Sequence, residues 1–256
     1  MKRRVSMLIF GGALSLSLAP AGDIEGAVTI QHTLTRRKVT LPAGQYDRGA
    51  SVQLGSTGTD DRLAFERTHV VIYLEGDHAS PPVKASIEQK ERQFLPDLVV
   101  IPSGSTVSFP NMDPIFHNVF SLSKPKTFDL GNYPKGQTRL VAFPKPGIVF
   151  VNCRLHPNMT ATVVVSPNQW NAIPSPSGDF VLHDVPPGRY TIVAWHKTAG
   201  FFHEPVEVRD GATKIEFVIP LAEDGTALPH ETSTSINSQS TNSPSTNSPH
   251  EAMSKR

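Results

Sequence analysis

Apolar and β-branched residues recur along this chain in short runs: THVVIYLEG (68–76), DLVVIPSGSTVSF (97–109), GIVFVNC (147–153), ATVVVS (161–166), RYTIVAWH (189–196) and KIEFVIPL (214–221). Clusters of Gly, Pro, Asn and Asp separate them, at spacings that suit sandwiches and barrels. No stretch of the body shows a sustained 3.6-residue apolar period. The 23 prolines weigh against long helices, because Pro costs about 3 kcal/mol in a helix interior. The pattern predicts an all-β protein. Beyond about residue 225 it stops. Residues 232–249 hold one apolar side chain, Ile236, and the unit STNSP twice. Such a segment buries too little apolar surface to offset chain entropy, so residues 226–256 are expected to form a disordered tail rich in Ser, Thr, Asn and Pro.

The remaining length suits one large or two small domains. A formal net charge of +1 over 256 residues gives no reason to expect a nucleic-acid or anionic-membrane partner. The chain opens MKRRVSMLIFGGALSLSLAPAG. A basic start, the apolar run Val5 to Ala19 and the small-x-small sequence Ala19-Pro20-Ala21 read as a secretory signal over residues 1–21. That run falls short of the roughly 20 residues that a spanning helix needs. The protein is therefore expected to be exported to the periplasm with no membrane span. Without residues 1–21 the chain loses three positive charges and no acids, which leaves it near −2.

Export sharpens the meaning of Cys153, the only cysteine, since exported domains ordinarily pair their thiols. An inert buried thiol, an intermolecular bridge and a functional thiolate are the three readings open to it. Its surroundings, VNCRLHPNM (151–159), place His156 and Met159 at equal steps of three. A second imidazole, His117, stands 36 residues upstream in FPNMDPIFHNVFSLS. Thiolate, two imidazoles and a distant thioether form the ligand set of a type 1 copper site. Soft sulfur favours Cu(I), imidazole suits both oxidation states, and a weak axial Met completes the set. Zinc is disfavoured, since structural zinc sites draw on more Cys and His. A Cys/His nucleophile needs an orienting third group that the sequence does not offer. No GxSxG occurs, so the chain is expected not to be an enzyme. His183, His196 and His203 are read as exposed or satisfied strand histidines, without a carboxylate set beside them. Met112 is expected to line the loop before His117, and Trp170 and Trp195 to serve the core or edge of a sandwich.

Residues 86–166 resemble a cupredoxin of the plastocyanin and amicyanin kind, a fold whose Greek-key strands form a β-barrel or sandwich. The phrases that carry the resemblance are QFLPDLVVIPSGSTVSFPNMDPIFHNV and GIVFVNCRLHPNM. They supply Phe94, Pro96, Gly104, Val107, Phe109, Asn111 and Asp113 in the family's order before His117, and a short C-x2-H-x2-M loop similar to amicyanin's. The resemblance implies one copper ion held by His117, Cys153 and His156, with Met159 axial. It also implies that Asn118 ties the two ligand loops together near the sulfur. Pro157 fits independently, since a residue before proline is pushed out of the helical region, which stiffens His156. A second phrase, GDFVLHDVPPGRYTIVAW (178–195), looks like the later strands of a carboxypeptidase-regulatory or transthyretin-like sandwich. IEGAVTI (24–30) and HVVIYLEG (69–76) match its opening strands. Residues 24–80 and 172–221 are therefore expected to form one small sandwich around the inserted domain 86–166, since the latter segment alone would be marginal. The alternative assigns the N-terminal strands to the central domain.

The function this implies is a blue copper protein that carries single electrons between exported redox proteins. Its partner would be a c-type cytochrome or a dehydrogenase. His156 would be the exit route, amid an apolar patch from Pro114, Ile115, Phe116 and Pro157. The alternative is a module that stores or senses copper, or attaches the chain elsewhere, with no electron-carrier role.

Overall fold

The computed structural model describes residues 21–35 and 59–219. Residues 1–20 of the expected signal 1–21, the tail 226–256 and residues 36–58 of the expected outer sandwich lie outside the described residues. In chain order the elements are β1 (Gly22–Ile30), α1 (Thr59–Arg67), β2 (Val70–Leu74), β3 (Lys84–Ser86), β4 (Glu88–Lys90) and β5 (Gln93–Leu95). Next come β6 (Leu98–Pro102), β7 (Ser105–Pro110), β8 (His117–Ser123), β9 (Lys126–Tyr133), β10 (Thr138–Phe143) and β11 (Gly147–Asn152). The last are β12 (Thr160–Ser166), β13 (Asn171–Ala172), β14 (Asp179–Val185), β15 (Gly188–His196), β16 (Gly200–Val208) and β17 (Ala212–Ile219).

These strands make an all-β fold of stacked sheets. One three-stranded sheet runs β14-β1-β17 and faces a four-stranded sheet, β13-β2-β15-β16. Their shared core includes Ile24, Val28, Ile72, Leu74, Phe180, Ile192 and Phe217. Strand β1 lies antiparallel to β14 and parallel to β17, so strands from both ends of the described chain bury one core. A second sheet pair, β10-β7-β3 and β6-β12-β11-β8-β9, encloses Phe94, Phe109, Val119, Phe143, Val149 and Val163. Among the described residues neither pair closes into a barrel; both are open sandwiches.

Burial along single strands explains the stacking order. β7 alternates between buried and half-buried positions, as a strand with one covered face does. β12 is buried at every position after Thr160, the signature of a strand covered on both faces. Val163 and Val165 point into the inner core. Val164 instead joins Leu98, Val71 and Trp195 in a separate apolar cluster. That cluster glues the four-stranded sheet to the outer face of the five-stranded one, making four layers. Each such side chain contributes roughly 1.5–3 kcal/mol when fully buried. Lys197 adds a cation–π interaction, its Nζ 5.5 Å from the Phe150 ring centre. His69 spans the same interface, its Nε2 at 3.2 and 3.3 Å from the two Asp97 oxygens.

The sequence pattern misses α1, and its packing says why. This helix does not rest on an apolar stripe. It buries a carboxylate instead: Glu66 is fully inaccessible. One oxygen accepts from the backbone N–H groups of Leu34 (2.9 Å) and Thr35 (2.7 Å). The other accepts from the Thr35 hydroxyl (3.0 Å) and from His196 Nε2 (3.1 Å). His196 Nδ1 accepts from the N–H groups of Thr198 and Ala199, so Nε2 carries the proton. Burial opposes the charge on Glu66, yet these donors hold its carboxyl below the ordinary carboxylate range. The helix ends where Thr68 Oγ1 and His69 Nδ1 donate to the Phe65 carbonyl.

Glu66→Ala strands donors from two segments, the chain after β1 and the end of β15, and is expected to cost about 3–5 kcal/mol in urea unfolding; Glu66→Gln, which keeps the shape and one acceptor, should cost less. The His69–Asp97 pair should show as a pH effect. Burial opposes a charged His69, but Asp97 and the Phe65 carbonyl raise its pKa. Its stabilisation is thus full below the ordinary imidazole pKa of about 6.5 and is lost as pH rises through the raised value. Asp97 is 54% exposed, so the loss should be about 0.2–1 kcal/mol, and Asp97→Asn should abolish it.

Candidate metal centre

The centre is built at one end of the five-stranded sheet. β8 pairs antiparallel with β11 through Asn152 and Phe120. His117 is the first residue of β8, and Cys153 follows directly on the last residue of β11. Strand pairing therefore delivers an imidazole and a thiol to the same end. The loop from Cys153 to β12 closes on itself: Met159 N donates to the His156 carbonyl (2.9 Å) and Cys153 N to the Met159 carbonyl (3.2 Å). That closure turns His156 back toward the sulfur.

Three ligand atoms converge. Cys153 Sγ lies 3.7 Å from His156 Nδ1 and 4.0 Å from His117 Nδ1. The two Nδ1 atoms are 3.1 Å apart. Among the described residues no other group of three His, Cys, Asp or Glu side chains clusters this way. His117 is fully buried and Cys153 nearly so, while His156 is half-buried. Met159 is buried in the apolar cluster that also contains Cys153. Pro157 is exposed directly after His156.

A carboxylate behind His117 decides which nitrogen it offers. Asp113 Oδ2 lies 2.7 Å from His117 Nε2, so that nitrogen carries the proton and Nδ1 is left with its lone pair. Asp113 is itself held. Its two oxygens accept from the backbone N–H groups of Glu91 (2.7 Å) and Arg92 (2.9 Å), and its own N–H donates to Asn111 Oδ1 (2.9 Å). Glu91 and Arg92 have φ values of 55° and 58°, the left-handed region, which costs non-glycine residues about 1–2 kcal/mol each. They form the tight turn between β4 and β5, and the Asp113 carboxylate holds that turn by its N–H groups. Burial opposes the Asp113 charge, but these donors and His117 hold its carboxyl below the ordinary range. The sequence places Asp113 in the phrase before His117 without giving it this role; the i, i+4 step to the histidine was the available signal.

Asn118 lies between the two ligand segments. Its backbone N–H donates to Cys153 Sγ (3.5 Å) and its Oδ1 accepts from Arg154 N (3.4 Å). Burial, reinforced by His117 and Arg92, lowers the His156 pKa, so its imidazole stays neutral and able to bind. The two histidine loops expose apolar side chains. Phe116 is 56% accessible, Met112 47% and Leu155 45%; Pro114 and Pro157 are also exposed, and Ile115 is half-buried. Met112 thus faces solvent.

Elsewhere His183, His196 and His203 do have carboxylates beside them, namely Asp23, Glu66 and Glu75. Each partner is far away in sequence, which is why no local pattern announced the pairs.

The donor set fits a soft transition-metal ion. His117 Nδ1, His156 Nδ1 and Cys153 Sγ face one another; with His117 Nε2–H given to Asp113, His156 Nδ1–H donates to His117 Nδ1, and a cation would take the place of that proton. One thiolate with two imidazoles is the equatorial set of a blue-copper site, whereas magnesium or calcium would require oxygen ligands. The residues that would hold such an ion are His117, Cys153 and His156.

No protein-family model matches this sequence, and no curated protein matches it. Among solved structures, a purple cupredoxin from Nitrosopumilus maritimus is 26% identical and covers 32% of this chain and 99% of its own, with a TM-score of 0.29. Amicyanin from Paracoccus versutus is 23% identical over 37% of this chain and 97% of its own, with a TM-score of 0.31. A Cu-containing nitrite reductase from Thermus scotoductus SA-01 is 25% identical over 36% of this chain, with a TM-score of 0.31; the chain spans 24% of that enzyme's length. These three solved structures are thus two cupredoxins and a copper enzyme, each matched over about a third of this chain.

Proposed function

We propose that this chain is an exported, periplasmic copper protein that carries single electrons and is not an enzyme. The observation that carries the reading is the meeting of His117 Nδ1, His156 Nδ1 and Cys153 Sγ, all within 4.8 Å. When bound, one copper ion supplies a Cu(I)/Cu(II) couple. The chain's own residues supply the rest. Asp113 fixes the His117 tautomer, so no ring rotation accompanies binding. The closed loop from Cys153 to Met159 fixes the distance between sulfur and His156. Met159, at the end of that loop and in the same apolar cluster as Cys153, would be the fourth ligand. A site held this firmly on both sides adapts little when its charge changes, which keeps the barrier to electron transfer low. Hydrogen bonding and apolar packing around the sulfur set the potential.

Of the proposed ligands only His156 is partly exposed, and the exposed apolar side chains of Met112, Phe116 and Leu155 on the two histidine loops offer a surface that a redox partner can cover. We assign that partner to the c-type cytochromes or dehydrogenases. The second sandwich, resembling carboxypeptidase-regulatory or transthyretin-like domains in sequence, packs on the outer face of the copper-domain sheet, away from the ligand loops, and leaves this surface free. Its presence also motivates the second reading, a module that stores or senses copper.

Adding Cu(II) to the apoprotein is expected to give intense visible absorption from sulfur-to-copper charge transfer. Cys153→Ser should abolish it and His117→Ala should bleach or shift it. Voltammetry separates the two readings: a reversible one-electron wave is expected of a carrier, whereas tight copper binding without a reversible wave would replace the carrier by the storage module. Colour that survives Cys153→Ser would defeat both.

A further inference from the structure

We propose that Asp129 is a positioning residue of the metal centre, one carboxylate that fixes how the Cys153 sulfur is hydrogen-bonded. The inference rests on the reading of His117, Cys153 and His156 as metal ligands. Asp129 lies on β9, outside both ligand segments, yet it touches the neighbour of a ligand on each. Its Oδ1 accepts from Asn118 Nδ2 at 2.7 Å and from Gly131 N at 3.0 Å. Its Oδ2 accepts from Arg154 Nη2 at 2.9 Å. Asn118 follows His117 and Arg154 follows Cys153, so the carboxylate pins both strand ends at once.

The backbone at this point requires such a clamp. The β8–β9 register shifts between Asn118 and Phe120. A bulge of this kind interrupts the ladder and re-aims the residue within it. Here the Asn118 N–H turns from the sheet to the sulfur. The side-chain bond from Asn118 to Asp129 spans the interruption and holds β8 to β9 where the backbone ladder does not. It also sets the amide orientation. With Nδ2 given to the carboxylate, Oδ1 must face Arg154 N, 3.4 Å away. The Arg154 guanidinium is held a second time, 4.8 Å from the Phe120 ring centre.

Only an ionised acid does all of this. The three hydrogen bonds need two acceptor oxygens and no donor, which is the inventory of a carboxylate. Donors to a metal-bound sulfur tune its electron density and hence the potential. Asp129 would act on the metal only through Asn118 and Arg154.

Two substitutions of equal charge separate positioning from electrostatics. Asp129→Asn keeps an acceptor for Asn118 and Gly131 but removes the ion pair with Arg154. Asp129→Ala removes all three hydrogen bonds. In the apoprotein, iodoacetamide should alkylate Cys153 roughly fivefold faster in Asp129→Ala than in Asp129→Asn, the effect of one ordinary hydrogen bond. In the copper-loaded protein, the sulfur-to-copper band and the reduction potential of Asp129→Ala should depart from those of Asp129→Asn, with the potential lower as the N–H···S bond loosens. Equal behaviour of the two variants in both assays overturns the proposal, whether or not they differ from the parent. Should the parent protein fail to bind copper while the alkylation rates still separate, the electron-carrier reading falls and the positioning role of Asp129 stands.

Discussion

Two imidazoles and a thiol held face to face at one end of a sheet are the constraint on which this structure turns. Two imidazole nitrogens 3.1 Å apart, with a sulfur 3.7 and 4.0 Å from them, would spread in a flexible loop. They stay together because each is gripped from behind. His117 is held by Asp113, Cys153 by its place at the end of β11 and by the Asn118 N–H, and His156 by a loop that closes through two backbone hydrogen bonds. Stiffness of this kind keeps three candidate metal ligands within reach of one another.

The grips trace to acidic side chains placed where acids are costly. Asp113 is nearly buried and Glu66 wholly so. Both are surrounded by N–H and imidazole donors, which makes them anchors and not defects. Glu66 gathers α1, the chain after β1 and the end of β15 into one joint. Asp113 gathers the β4–β5 turn and the first strand residue of β8. In each case the carboxylate ties segments that no sheet ladder connects.

Layering explains where the centre can work. The cluster of Val71, Leu98, Val164 and Trp195 covers the outer face of the five-stranded sheet over β6 and β12. The ligand loops stand at one end of that sheet, where β8 begins and β11 finishes. That apolar cluster reaches the ligand-bearing strands only at Ile148 of β11 and does not bury His156. Among the described residues the appended sandwich thus lies on the face of the five-stranded sheet and not at the end that carries His117 and Cys153.

Local pattern was enough to establish the β character of the chain, because β-branched runs punctuated by Gly and Pro have few other stable outcomes. It was enough to single out Cys153, His156 and Met159 as candidates, since a lone thiol with an imidazole and a thioether at steps of three is local information; that His117, 36 residues upstream, joins Cys153 and His156 is seen only in the fold. The continuous burial of β12 was foreshadowed by the unbroken ATVVVS run, although the run could not say what covers its second face. Meetings between distant residues were settled by the folded chain alone. Helix α1 carries no apolar period, because its anchor is Glu66 reaching His196, 130 positions away. Asp113 sits four residues from His117, but only the fold shows its carboxylate on Nε2, and so which nitrogen faces the sulfur. Asp129 has no motif at all. Its meaning arises where a bulge in β8 brings Asn118 and Arg154 to one carboxylate. Short stretches of chain encode which residue types can bind or pair; the geometry that makes them do so depends on strand register, which no short window of sequence contains.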